Sequence, residues 1–119
     1  MRALEEVLAK VDEAELFFGA KVNSVSVERP SGETALHIAA KWGDAEAIRV
    51  LVSHGAEINK TGEDQNTPLH YAAMLGQLGT VKCLVELGAS NLKDGYGNLP
   101  QQLAENHEDV HRYLVDSGF

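Results

Sequence analysis

The sequence predicts an all-α solenoid of stacked helix-turn-helix units joined by short β-turn or hairpin fingers. Three observations predict it. Residues 67–89, TPLHYAAMLGQLGTVKCLVELGA, align without a gap on residues 34–56, TALHIAAKWGDAEAIRVLVSHGA, 33 positions earlier. Within each copy, apolar residues recur at helical spacing. Glycines stand where each short helix must stop (Gly43, Gly55, Gly76, Gly88). Self-similarity at such a period marks a repeat architecture, in which one unit cannot bury its own apolar faces and a stack of units can.

The elements follow in order. Leu4, Val7, Leu8 and Val11 keep an i, i+3, i+4, i+7 spacing, which predicts a helix from about Arg2 to Phe18. It has no partner helix before it. Its ending, Phe18-Gly19-Ala20-Lys21-Val22-Asn23, parallels His54-Gly55-Ala56-Glu57-Ile58-Asn59, so residues 1–22 read as an N-terminal capping helix with an acidic outer face. Residues 23–56 form the first regular unit. Its finger is about three residues longer than the next, and Val22 to Val27 could lengthen it as a hairpin closed by Arg29-Pro30-Ser31-Gly32. The extra length suits either a dedicated contact or a tolerated insertion.

Residues 57–89 form the second unit. Thr67 is its N-cap and Pro68 takes the first helical position, where no N–H is missed. Leu69, Ala72 and Ala73 share a face of the first helix, and Val81, Leu84 and Val85 line the second. Residues 90–119 are a degenerate last unit. Leu99, Gln101 and Gln102 replace Thr, Leu and His, the finger is one residue shorter, and the helix pair loses about two more. Polar residues at normally buried positions mark a C-terminal cap. A chain that runs from one cap to another is expected to be a complete small protein.

The motif Thr67-Pro68-Leu69-His70-Tyr71-Ala72, with its partner Thr34-Ala35-Leu36-His37-Ile38-Ala39, resembles the ankyrin repeats, whose pattern is T-P-L-H-x-A at this period. The two clear repeats and their connecting finger carry the resemblance from about Gly32 to Ala89, and the weaker units extend it to most of the chain. Gln65 departs from the pattern, since the family usually keeps a glycine there. The resemblance implies a single non-catalytic domain, without cofactor, that binds a protein through its finger tips and first-helix face. Carried over by position, the binding residues would be Pro30, Ser31, Glu33, Ile38, Lys41 and Trp42 in one repeat. In the next they would be Glu63, Asp64, Asn66, Tyr71, Met74 and Leu75, followed by Tyr96, Asn98 and Gln102. Trp42 and Leu75 are equivalent positions. With Tyr71 and Met74 they predict an exposed apolar stripe rimmed by Glu33, Glu63 and Asp64, the opposing reading being that Trp42, Met74 and Leu75 pack beneath the next finger.

Composition narrows the partner. Eighteen acidic against ten basic residues give a net charge of −8, which disfavours nucleic acid and anionic membrane and favours a protein with a basic patch. The same excess also serves solubility. No apolar run is long enough to span a bilayer and no early segment reads as a signal peptide, so a cytoplasmic location is expected, and the capped ends suggest a monomer. The one cysteine, Cys83, lies on an apolar helix segment and reads as a small core residue. A compact acidic chain of this kind also resembles immunity proteins that bind and block a toxic enzyme, and a cationic toxin would suit its charge.

His107-Glu108-Asp109-Val110-His111 spells HExxH, the helical zinc motif of metallopeptidases. The repeat register places it at the start of the last second helix, where acids suit the positive helix end. Only eight residues follow, with no further histidine to complete a zinc site. No catalytic or metal residue is assigned. A purely structural spacer is the remaining alternative, in which Trp42 would be dispensable.

Overall fold

The computed structural model describes residues 3–14 and 25–119, with the side chains of 12–14 outside that description. Among the described residues there are seven α-helices and no strand: α1 (Leu4–Ala14), α2 (Ala35–Trp42), α3 (Ala45–Ser53), α4 (Pro68–Met74), α5 (Leu78–Glu86), α6 (Pro100–Leu103) and α7 (Glu108–Asp116). The all-α stack expected from the period is the fold observed. The first helices α2, α4 and α6 form one layer, and the second helices α3, α5 and α7 form the other. The capping helix α1 lies against α2 and α3. The part of α1 expected beyond Ala14, and the start of the hairpin expected at 22–27, lie outside the described residues. Val25 and Ser26 form a turn.

The apolar spacing is what the layers bury. Val7, Leu8 and Val11 seal α1, Leu36, Ala39 and Ala40 face inward from α2, and Leu69, Ala72 and Ala73 do the same from α4. Ile48, Leu51, Val81, Leu84, Val110 and Leu114 form the matching seam of the second helices. Alanine on the α2 and α4 faces lets neighbouring backbones approach closely. Cys83 belongs to this core: it is buried, and burial pushes its thiol pKa up.

Each first helix opens with the same device. Thr67 N–H donates to His70 Nδ1 at 3.0 Å, while Thr67 Oγ1 accepts from His70 N–H at 3.4 Å. Thr34 N–H donates to His37 Nδ1 at 3.1 Å. Because Nδ1 accepts, the proton sits on Nε2, and that nitrogen bonds forward into the next finger. His37 Nε2–H reaches the carbonyls of Lys60 (2.8 Å) and Asn66 (3.2 Å), and His70 Nε2–H reaches that of Asn98 (3.0 Å). In the last unit Gln102 keeps only the first half, accepting from Leu99 N–H through Oε1 at 2.7 Å.

Candidate protein-binding surface

Three finger turns project from the edge of the stack, and each closes the same way. Arg29 N–H donates to the Glu33 carbonyl, Gly62 to that of Asn66, and Asp94 to that of Asn98, at 2.8, 2.9 and 2.8 Å. Glu33, Asn66 and Asn98 are therefore equivalent, each the last residue of its turn. That position faces inward to the layer, and the structure corrects the sequence expectation there. Glu33 is 1% exposed and does not rim a surface. Ile38 and Tyr71 are buried as well.

For Glu33 and Tyr71 the reason is a clasp between repeats. The Tyr71 hydroxyl reaches across from α4 and donates to the Glu33 carboxylate. Lys41 Nζ lies 3.1 Å and Arg29 3.6 Å from the same carboxylate. The Tyr71 ring stands edge-on to His37 at 5.8 Å, with the Lys41 ammonium 4.7 Å from its centroid. Burial alone would raise the Glu33 pKa, but the Tyr71 hydroxyl and Lys41 outweigh it and hold the carboxyl below its ordinary value. Burial and the same carboxylate push the Tyr71 pKa up. The aromatic residue that sequence spacing offers as an anchor is spent inside the stack.

What remains outside is smaller and falls in two places. At the C-terminal end of α4, Met74 and Leu75 are 41% and 49% exposed. Their equivalents on α2 differ: Lys41 is committed to the clasp, and Trp42 packs half-buried against the core with Lys10 of α1 5.0 Å over its ring. The expected stripe therefore survives as its Met74–Leu75 half. At the finger tips, Pro30, Ser31, Glu63 and Asp64 are exposed, and Tyr96 is 75% exposed. Asn66 and Asn98 are half-buried with their carbonyls committed to the histidines, and Gln102 is exposed but tied to Leu99.

Sequence reasoning missed two residues that brace the ends of α2 and α4. Gln77 and His107 are the N-caps of α5 and α7. Gln77 Nε2–H donates back to the Lys41 carbonyl at 3.0 Å, and His107 Nε2–H to the Met74 carbonyl at 3.2 Å. Each side chain packs on a glycine of the preceding repeat: a Cβ on Gly43 would lie 1.5 Å from Gln77 Oε1, and one on Gly76 2.3 Å from the His107 ring. The two glycines, at φ 72° and 70°, are thus fixed by close approach as well as by conformation. For Gln77 the signal was legible as a residue that follows the stop glycine Gly76, though the partner carbonyl was not; His107 follows Asn106 and carried no such signal. Leu92 and Val115, also exposed, were not singled out.

The same geometry accounts for HExxH. His107 faces Met74, and His111 Nδ1–H donates to the Gln101 carbonyl at 2.9 Å, so both rings are engaged by backbone of α4 and α6. Glu108 pairs with Arg112 at 2.6 Å. No group of three or more His, Cys, Asp or Glu side chains that could hold a metal occurs among the described residues. No helix among them is long and apolar enough to cross a membrane.

A family model described as ankyrin repeats (three copies) matches residues 7–94 and 55–119. A search of curated proteins finds no match.

Proposed function

Because the chain belongs to the ankyrin-repeat family, whose members are generally protein–protein interaction modules, we propose that it is a non-catalytic recognition module in the cytosol that binds one protein. It does so through its finger tips and the exposed end of its first-helix layer. The observation that carries this reading is the Met74–Leu75 ledge. Two large apolar side chains remain in solvent while the rest of α4 is buried. The His107 bond to the Met74 carbonyl braces their backbone. A braced apolar ledge loses little ordering entropy on binding. The net charge of −8 favours a partner with a basic patch.

The test is affinity capture from native lysate with the wild type and a Met74→Ser/Leu75→Ser variant, each checked for helicity. A protein retained by the wild type and lost with the variant supports the reading. Equal capture by both moves recognition off the ledge.

A second reading shares the acidic finger tip and the net charge: an immunity-type protein that captures and blocks a cationic toxic enzyme. Complementary charge speeds such capture and makes it sensitive to salt. Its test is rescue, since the chain expressed with the captured protein would restore growth to cells that the partner alone arrests.

A further inference from the structure

We infer that the groove across the three finger tips is a receptor for a cationic side chain, foremost arginine, carried on an extended segment of the protein partner. The inference deepens the recognition reading above and rests on it. The groove is floored by Ser31 of the first finger, residues 62–65 of the second and Gly95 with Tyr96 of the third. Its volume of about 540 Å³ admits side chains from a strand-like segment, and it is too open to enclose a free small molecule.

Its chemistry selects the occupant. The Tyr96 ring is the most exposed large apolar side chain among the described residues. It is also held: the buried Asp94 carboxylate accepts from the N–H groups of Tyr96 and Asn98, both at 2.9 Å, which fixes the backbone that carries the ring. The Tyr96 hydroxyl turns toward Asp64 Oδ1 at 3.4 Å. Asp64 and Glu63 are exposed and form no ion pair among the described residues, whereas Glu33, a few residues inside, is neutralised by Lys41 and Arg29. The groove thus offers an aromatic face beside two uncompensated carboxylates. A planar guanidinium stacks on such a ring and donates from its edge to the carboxylates, which an ammonium does less well. The fingers meet there without freedom to collapse: Gly95 N–H donates to the Asp64 carbonyl at 2.7 Å, and a Cβ on Gly95 would lie 2.8 Å from that oxygen.

The probe is the blocked peptide acetyl-Gly-Arg-Gly-Arg-Gly-amide, titrated into the isotope-labelled full chain while backbone amide shifts are followed. Glutamate- and lysine-containing analogues serve as controls. The expected result is saturable shifts confined to Ser31, 62–65 and 95–96, no binding of the glutamate peptide, and weaker binding of the lysine one. Tyr96→Ala should weaken the arginine peptide about fivefold, Tyr96→Phe should hold affinity within about twofold because the ring remains, and Asp64→Asn should weaken it and flatten its salt dependence. Shifts spread evenly over distant acids such as Glu86 and Glu105, or affinity unchanged in Tyr96→Ala, overturn the inference. Lysate capture with Tyr96→Ala/Asp64→Asn separates the two levels. Capture lost only with the Met74/Leu75 variant overturns the groove and leaves the recognition reading standing. Peptide binding in the groove without any captured protein supports the groove and removes that reading.

Discussion

The contact between α2 and α4 and the contact between α4 and α6 are the same joint built twice, and they differ in what holds them. In the first, His37 bonds two carbonyls of the next finger, and a buried Glu33–Tyr71–Lys41 clasp crosses the layer. In the second, His70 bonds the Asn98 carbonyl at 3.0 Å with the Leu92 carbonyl as a weaker second partner, and Met74 stands where Lys41 stood. In the last unit even the histidine is gone, and Gln102 serves the cap alone. The lesson is that the repeat histidine has two jobs, capping its own helix through Nδ1 and tying down the following finger through Nε2. Where no further finger follows among the described residues, a side chain that does only the first job suffices.

That comparison breaks if the histidines prove equivalent. His37→Gln should be the most costly change, about 2–3 kcal/mol, because the half-buried carbonyls of Lys60 and Asn66 both lose a donor. His70→Gln should cost about 1–2 kcal/mol, because the half-buried Asn98 carbonyl keeps only its bond from Asp94 N–H. Gln102→His should lie within about 0.5 kcal/mol of neutral, as a surface position does. Urea unfolding of the three variants checks the order, and equal costs at 37 and 70 would sink the difference between the two joints.

The clasp sharpens it next. Tyr71→Phe removes a hydrogen bond to a buried carboxylate and should destabilise by about 2 kcal/mol. Replacing both members by their equivalents in the neighbouring repeats, Glu33→Asn with Tyr71→Ile, removes the buried carboxylate together with the hydroxyl that bonds it, and leaves Lys41 and Arg29 to turn to solvent. A buried polar group removed together with its partner costs far less than one left unpaired. The double variant should therefore be more stable than either single one, with a coupling of about 2 kcal/mol in the mutant cycle. Additive losses would show that Glu33 and Tyr71 act separately.

The clasp also shows where sequence reading stops. The period, the caps, the buried seams and the decay of the last unit were legible because each rests on local spacing. Glu33, Ile38 and Tyr71 were read as surface because the pattern leaves those positions free to vary. The burial of Glu33 and Tyr71 rests on a pairing 38 residues apart, which no local window contains. One signal was available: Glu33 closes its turn at the place held by Asn66 and Asn98, so an acid there needed a cation, and Lys41 stands two helical turns on. The Met74–Leu75 ledge was legible and Trp42 was not, since the cap helix that covers Trp42 is remote in the pattern.

The first joint should also be the more acid-sensitive. Burial lowers the pKa of both His37 and His70 from the ordinary 6.5, against the carbonyls that favour the charged form. The unfolded chain then binds more protons than the native one as pH falls below about 6.5, so stability is full above that pH and declines beneath it. Glu33 adds loss of the same sign below its ordinary 4.5, because its folded pKa is lowered too. Thermal midpoints from pH 7.5 to 4 should fall steadily. The fall below pH 4.5 should be shallower in Glu33→Asn/Tyr71→Ile, and a parallel fall in both proteins would assign it to other groups.

The smallest effect concerns the finger between the two joints. In the first and third fingers the turn closes through Gly32 and Gly97, at φ 94° and 81°. In the second, the equivalent residue is Gln65 at φ 59°, and Asp64 before it is at 54°. Two central residues at positive φ make a mirror-image turn, for which Asp-Gly is favoured over any pair ending in a side chain. A non-glycine residue there costs about 1–2 kcal/mol, and glycine gives back part of that through its greater freedom when unfolded. Gln65→Gly should thus stabilise by about 0.5–1 kcal/mol. If stability rises while the arginine peptide binds unchanged, Gln65 is strain without a role. If stability rises and affinity falls, the strained turn sets the Asp64 carboxylate where the groove needs it.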